Sequence, residues 1–397
     1  MNEDQPNIIQ IEHMLNDSRL YKNVLIYGNG EEQFLLAKFL EQCDIKVAGL
    51  ITRNKFLRWI FSKKTLKRFS IPEAKLFFKP KDTIVLISTP DYLLNKAYNS
   101  LKRFGYKNIY ILSEWNKRTI PHKMSPRRRE NFWLEFNVAD HCNLNCQCCD
   151  HFSPIADKYF LPVVDFEKDI KRLSELMGGV IGQLKIQGGE PTLHPQLTDF
   201  MRLSRQYFPS SEIVMFTNGV VLLQKDKDQI WQAMKNYDIK MLLTTYPINL
   251  DYNALDDKAK EYSIQYQRFV EAGDRLSCEK SCISAEDKMS VHHPFNLAGY
   301  VPNHEFISCY QFNESITLRH GRIYTCPMAP YVGYFNKYFN QKLEVAENDS
   351  IDIYNAKSYE EIAEFCTQRT PFCRYCRVKE RNCRRFTQSK KEITEWT

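Results

Sequence analysis

Between His141 and Pro154 the chain reads HCNLNCQCCDHFSP, which puts Cys142, Cys146, Cys148 and Cys149 inside eight residues. No other stretch restricts the fold as tightly. Three of these cysteines have the spacing C-x3-C-x2-C, and a short loop with that spacing folds three thiolates onto one face of an iron–sulfur cube. The fourth iron then has no cysteine from the loop. An iron left open binds a ligand, so the pattern points to chemistry rather than plain electron storage. Closely spaced cysteines also suit a zinc site or a redox dithiol, and both stand as alternatives.

Further along, LKIQGGEPTLHP places Gly188, Gly189, Glu190 and Pro191 at the end of a short apolar run. Together the two motifs resemble the signature of the radical S-adenosylmethionine (AdoMet) superfamily. The resemblance implies a [4Fe-4S] cluster on Cys142, Cys146 and Cys149, whose open iron chelates the amino and carboxylate groups of AdoMet's methionine. It also implies that Glu190 and the backbone of the GGEP turn hold the AdoMet ammonium. One position departs from the family pattern: the residue before the third cysteine is commonly an aromatic lying along the adenine, and here it is Cys148.

With 397 residues the chain has room for two or three domains and a substantial core. No apolar run approaches the ~20 residues of a membrane span. The N-terminus, MNEDQPNIIQIEHMLND, lacks the basic start and apolar centre of a signal peptide, so a cytoplasmic protein is expected. Thirteen cysteines in a reducing compartment point to metal ligation rather than disulfides. The net charge of +7 comes from basic residues spread among acidic ones. The compact basic runs, Arg53 to Arg68 and Pro126 to Arg129, are short, so a solvated face and a linker are expected and nucleic acid is not. A surface for phosphorylated or membrane-proximal substrates is the alternative.

Read in order, NVLIYGNG (Asn23 to Gly30) is a buried strand entering a glycine turn, and EEQFLLAKFLEQC continues as an amphipathic helix. IKVAGLIT, DTIVLIST and YKNIYIL add three strands, with a helix between the last two. Residues 1–119 are therefore expected to form a small parallel-sheet, Rossmann-like α/β domain. Gly28-x-Gly30 partly matches a dinucleotide fingerprint, but Gln33 stands at the third glycine position. Residues 120–130, with two prolines and a basic run, read as a linker. From 131 to 300, strand–helix alternation repeats through NFWLEFNVADH, QLKIQGG, SEIVMFTNG and KMLLTTYP. That order fits the partial (β/α)6 barrel of the resembling family, whose strand ends host the chemistry. Family positions at the fourth and fifth strand ends contact AdoMet's ribose and carboxylate, which carries over to Asn218 and Thr244.

Residues 301–397 hold a second set of cysteines: Cys309 and Cys326 around a glycine hairpin at Gly321, then Cys373 and Cys376 in FCRYC. This resembles the twitch and SPASM auxiliary-cluster domains that follow radical AdoMet barrels. Four thiolates would close one auxiliary [4Fe-4S] site, with Cys366 and Cys383 as substitutes or bystanders. A structural zinc knuckle is the alternative. Cys278 and Cys282, in SCEKSC, are candidate hydrogen-atom donors or a redox pair, against a reading as ordinary loop thiols.

The expected function is an α/β enzyme that reductively cleaves AdoMet to a 5'-deoxyadenosyl radical. The substrate would be a sugar, nucleotide sugar or glycan precursor, modified by oxidation, epimerisation or dehydration. The resemblance implies a flavodoxin- or ferredoxin-type electron donor. A peptide maturase and a non-catalytic iron–sulfur protein are the alternatives. The first usually carries a leader-binding or full SPASM domain, and the second has no need of a GGEP strand end.

Overall fold

The computed structural model describes residues 7–9, 11–28, 30–52, 66–269, 289–299 and 305–397. Cys278, Cys282 and most of the Arg53 to Arg68 run lie outside the described residues. The chain divides into two compact units, Met1–Ser125 with Pro302–Ile307, and Pro126–Val301 with Ser308–Thr397. No helix among the described residues is long and apolar enough to cross a membrane.

The first unit is a six-stranded parallel sheet. Its strands are β1 (Asn7–Ile9), β2 (Asn23–Tyr27), β3 (Val47–Ile51), β4 (Arg68–Phe69), β5 (Thr83–Ile87) and β6 (Asn108–Leu112), ordered β1-β6-β5-β2-β3-β4. TIVLI is buried along its whole length, because helices cover both faces of such a sheet and leave its strands uniformly apolar. At the end of β2, a Cβ on Gly28 would stand 2.4 Å from the Ser88 carbonyl oxygen, so glycine there serves close chain packing. Gln33 is buried, and its Nε2 donates to the carbonyls of Ile26 (3.2 Å) and Ile51 (3.1 Å). The third fingerprint position thus caps the strand ends with an amide. The stretch expected as a linker begins as helix: Glu114–Met124 runs through Pro121, held by the burial of Ile120 and Met124. Tertiary packing there outweighs the cost of an interior proline.

The second unit is built on an eight-stranded sheet. Five parallel strands, β7 (Trp133–Ala139), β8 (Gln183–Gly188), β9 (Glu212–Thr217), β10 (Ile239–Thr244) and β11 (Tyr266–Phe269), alternate with the helices Val163–Met177, Leu197–Tyr207, Asp228–Asn236 and Tyr252–Glu261. A sixth strand continuing this strand–helix alternation beyond β11 is not among the described residues. Instead β12 (Met289–His292) pairs antiparallel with a late strand, Asn382–Arg385. On the other edge, β13 (Ser315–Arg319) lies parallel to β7 and is followed by β14 (Arg322–Tyr324) and β15 (Ser350–Asp352). The cysteine-rich region therefore continues the barrel's own sheet. Its hairpin turns at His320 (φ +47°) and Gly321 (φ +71°), two left-handed residues in succession as a type I′ turn requires.

Strand alternation decides what faces what. Leu134, Phe136 and Val138 of β7, Leu184 and Ile186 of β8, and Ile316 and Leu318 of β13 enter one core with Phe166, Ile170 and Phe200 from the helices. The intervening residues Glu135, Asn137, Lys185, Gln187, Thr317 and Arg319 face the opposite side. A second core joins Phe152 just after the cysteine loop to Phe295, Phe335, Phe372 and Trp396.

Candidate active site

Strand β7 delivers the cysteine loop. Asn145, Cys148 and Phe152 all have positive φ, so the loop winds tightly. Its outer edge is clipped by the C-terminal segment: Gln147 N donates to Thr387 O (2.9 Å), Ser389 N to Asn145 O (2.7 Å), and Trp396 Nε1 to Cys149 O (2.8 Å). Cys142 neighbours Cys146 and Cys149, and burial, then Glu190, pushes its thiol up to about 12. Its sulfur accepts from Leu144 N (3.4 Å) and Asn218 Nδ2 (3.7 Å). Cys148 is buried and engaged elsewhere, beside Arg384 and Glu395 of the C-terminal segment, with burial pushing its thiol up to about 11.

The GGEP turn packs directly on the start of this loop. Gly189 N donates to Ala139 O (2.7 Å) and Glu190 N to His141 O (3.2 Å). A Cβ on Gly188 or Gly189 would stand 2.2 Å from the carbonyl oxygen of Ala139 or His141 respectively, which is why both positions are glycine. Glu190 is 1% exposed. Its Oε1 accepts from Thr192 N (3.1 Å), Thr192 Oγ1 (2.5 Å) and Thr217 Oγ1 (2.7 Å), and its Oε2 from Asn218 N (2.8 Å). Burial raises its pKa while these donors oppose the shift. Oε2 has capacity for a further donor. Asn218 ties the two motifs together through Nδ2, which donates to Asn143 Oδ1 (2.8 Å) as well as facing Cys142. Thr244 ends β10 with a half-buried side chain, and among the described residues no hydrogen bond joins it to the Glu190 network.

In the second cysteine set, Cys309, Cys326 and Cys373 are mutual neighbours. Cys376 follows on the same short helical turn, its amide donating to Cys373 O (3.2 Å). Burial pushes the Cys373 thiol up to about 11 and Cys326 higher still. Cys366 is packed in the main hydrophobic core. The side chain of Cys383 lies outside the described residues. A zinc ion about 2.3 Å from each thiolate would draw the sulfurs to about 3.8 Å of one another. Neither cysteine set forms a triad within 4.8 Å; among the described residues the group that does is Cys149, Asp150 and His151. Each set is an all-thiol donor group, three cysteines in the loop and four in the second set, of the kind that holds an iron–sulfur cluster or a zinc ion.

Residues that the motifs do not reveal complete the arrangement. Asp140, between β7 and Cys142, is fully buried and takes a bidentate pair from Arg319 of β13 (Nη1 to Oδ1 3.0 Å, Nη2 to Oδ2 2.6 Å) and a bond from the Tyr334 hydroxyl (2.6 Å). The Arg319 guanidinium also lies over the rings of Tyr159 (4.8 Å) and Tyr331 (5.0 Å). One legible signal existed: β7 reads WLEFNVA, with polar Glu135 and Asn137 alternating against core residues.

Residues 136–276 match the model of the Radical SAM superfamily. The chain carries a radical SAM domain. Its curated relatives include the GTP 3',8-cyclases of Campylobacter fetus, 25% identical over 132 residues (33% of this chain, 37% of the cyclase), and of Rhodopirellula baltica, 29% identical over 113 residues (27% and 30%). The chain thus spans about a third of the length of these relatives. Among solved structures, BtrN in complex with AdoMet and 2-DOIA is 15% identical with a TM-score of 0.38, covering 62% of this chain and 92% of BtrN. Streptococcus suis SuiB bound to S-adenosylmethionine is 15% identical with a TM-score of 0.24, covering 46% and 53%.

Proposed function

We propose that this radical SAM enzyme acts on a sugar, nucleotide sugar or related glycan precursor, by oxidation, epimerisation or dehydration. The observation that carries the reading is the union of the three-cysteine loop with the GGEP turn, through Gly189 N to Ala139 O and Asn218 Nδ2 to Cys142 Sγ. When bound, the [4Fe-4S] cluster supplies the one-electron cleavage of AdoMet, and with it the 5'-deoxyadenosyl radical that removes a substrate hydrogen.

The chain's residues divide the remaining work. Cys142, Cys146 and Cys149 would hold three irons of the cluster, and the N–H donors on the Cys142 sulfur would tune it by drawing on the thiolate. Glu190, fixed by its four internal donors, turns Oε2 to the AdoMet ammonium. Asn218 and Thr244 position the ribose and carboxylate. Cys309, Cys326, Cys373 and Cys376 would hold one auxiliary [4Fe-4S] cluster, which would supply an electron acceptor for an oxidation or an anchor for the substrate. A flavodoxin- or ferredoxin-type protein supplies the electron, and Cys278 and Cys282 are candidate hydrogen-atom donors. The barrel segment overlaps with cyclases whose name specifies GTP, and that overlap supports a nucleotide-bearing substrate over a peptide.

The test is incubation of the anaerobically reconstituted enzyme in deuterated solvent with UDP-glucose and UDP-N-acetylglucosamine. Deuterium gained at a ring carbon marks epimerisation, a new carbonyl marks oxidation, and loss of water marks dehydration. Formation of 5'-deoxyadenosine that responds to peptides and to no sugar would overturn the substrate class.

A further inference from the structure

The inward face of β7 and β13 is layered. In the lowest layer Glu135 is satisfied, accepting from Thr317 Oγ1 (2.9 Å) and facing Ser315 Oγ (3.5 Å). In the uppermost layer Asp140 is satisfied by Arg319 and Tyr334. Asn137 lies between them, 1% exposed, and neither its Nδ2 nor its Oδ1 has a hydrogen-bond partner among the described residues. The Tyr331 hydroxyl, equally buried, meets only the Asn137 backbone, and its own proton has no acceptor among the described residues. His151, whose ring meets that of Tyr331 edge-on at 5.7 Å, has an unpartnered Nε2.

Buried amide, hydroxyl and imidazole atoms are almost always paired in native proteins, and unpaired ones mark a place where a ligand completes the bonds. Tyr331 links the other two, meeting the Asn137 backbone on one side and the His151 ring on the other, and the carboxylates of the layers above and below, Asp140 and Glu135, are both bonded. The position of the unpaired atoms is informative. Asn137 lies two residues, about 6.6 Å, below Ala139 on the same strand, and the Ala139 carbonyl is the acceptor for Gly189. The unpaired atoms therefore sit one layer beneath the Cys142–Glu190 strand ends.

We propose that Asn137, Tyr331 and His151 form the floor of the substrate site and bind the neutral, hydroxyl-bearing ring of the substrate. The proposal rests on the reading of this chain as a sugar-modifying radical AdoMet enzyme. Asn137 presents both an acceptor and two donors, which matches a pair of adjacent hydroxyls, and Tyr331 and His151 each supply one further bond. The nearby cations face carboxylates: Arg319 pairs through both Nη atoms with Asp140, leaving only its Nε, and His151 Nδ1 lies 3.4 Å from Asp150, while the Glu135 carboxylate lies just below. A phosphate is therefore disfavoured here, and the phosphates of a nucleotide sugar lie away from this face, leaving the sugar to reach it.

The experiment compares the full-length reconstituted enzyme with Asn137→Leu and Tyr331→Phe, two near-isosteric changes that delete the unpaired atoms. Without substrate, calorimetry should find each variant as stable as the parent or higher in Tm by about 2–4 °C, because a ligand-seeking group is costly while it waits. With UDP-glucose as the probe, kcat/KM for substrate-dependent 5'-deoxyadenosine formation, normalised to iron content, should fall at least about tenfold in each. A drop in Tm in both variants would show that the atoms are bonded within the fold, and would overturn the proposal. So would a parent that responds to UDP-glucose alongside variants that respond equally. If the parent cleaves AdoMet but responds to no sugar, the substrate reading under Proposed function fails. The Tm comparison then still decides whether these residues form a ligand floor.

Discussion

Replacing Arg319 with methionine removes the guanidinium and keeps most of the side chain's bulk. The Arg319 and Asp140 side chains are 7% and 0% exposed, so the variant leaves a carboxylate buried beside the cysteine loop. Breaking a buried ion pair by deleting one partner costs about 3–5 kcal/mol, whereas a solvent-exposed pair costs about 1 or less. The Tyr334 hydroxyl still donates to Asp140 at 2.6 Å, which puts the expectation near the lower bound, about 3 kcal/mol, or roughly a hundredfold in the folding equilibrium. Tyr334→Phe, which loses one bond to a charged group, should cost about 1.5–3 kcal/mol. Asp140→Asn combined with Arg319→Met should be more stable than the sum of the single changes by at least about 1 kcal/mol, because the stranded charge is gone. Urea unfolding at constant m measures all three. A loss below about 1 kcal/mol in Arg319→Met, or strict additivity in the double variant, would refute the buried-pair reasoning.

Gly189→Ala places a methyl group 2.2 Å from the His141 carbonyl, so it should displace the cysteine loop and abolish AdoMet cleavage; retained cleavage would mean that the turn and the loop are not in register. Trp396→Phe keeps an aromatic in the core but loses the bond to Cys149 O, and iron should leave the reconstituted variant faster under chelator challenge. Cys366→Ser, in the apolar core, should lower Tm without changing iron content, whereas a loss of four irons would return that thiol to the ligand set.

Much of the site was legible in the sequence because its motifs are local. Cys142, Cys146 and Cys149 share one loop, Gly188 to Pro191 share one turn, and His320-Gly321 forces a hairpin whatever surrounds it. What was not legible depends on distant segments meeting. Asp140 and Arg319 are separated by 179 positions, and no spacing rule pairs them. At Cys148, where the family pattern has an aromatic, the neighbours are Arg384 and Glu395 of the C-terminal segment, which the loop's own sequence does not show. Cys366 and Cys376 are alike by type, and only the fold shows that the first is packed in the main core while the second follows directly on Cys373. In the first unit, Pro121 marks a break by local rules, yet Ile120 and Met124 find a buried face and the helix continues.

The most direct measurement is 5'-deoxyadenosine formation from AdoMet under dithionite by the reconstituted enzyme and by its Cys142, Cys146 and Cys149 triple alanine variant, with iron counted in both. The account predicts about eight irons and product from the parent, and about four irons and no product from the variant. Continued 5'-deoxyadenosine formation by the triple variant would contradict it.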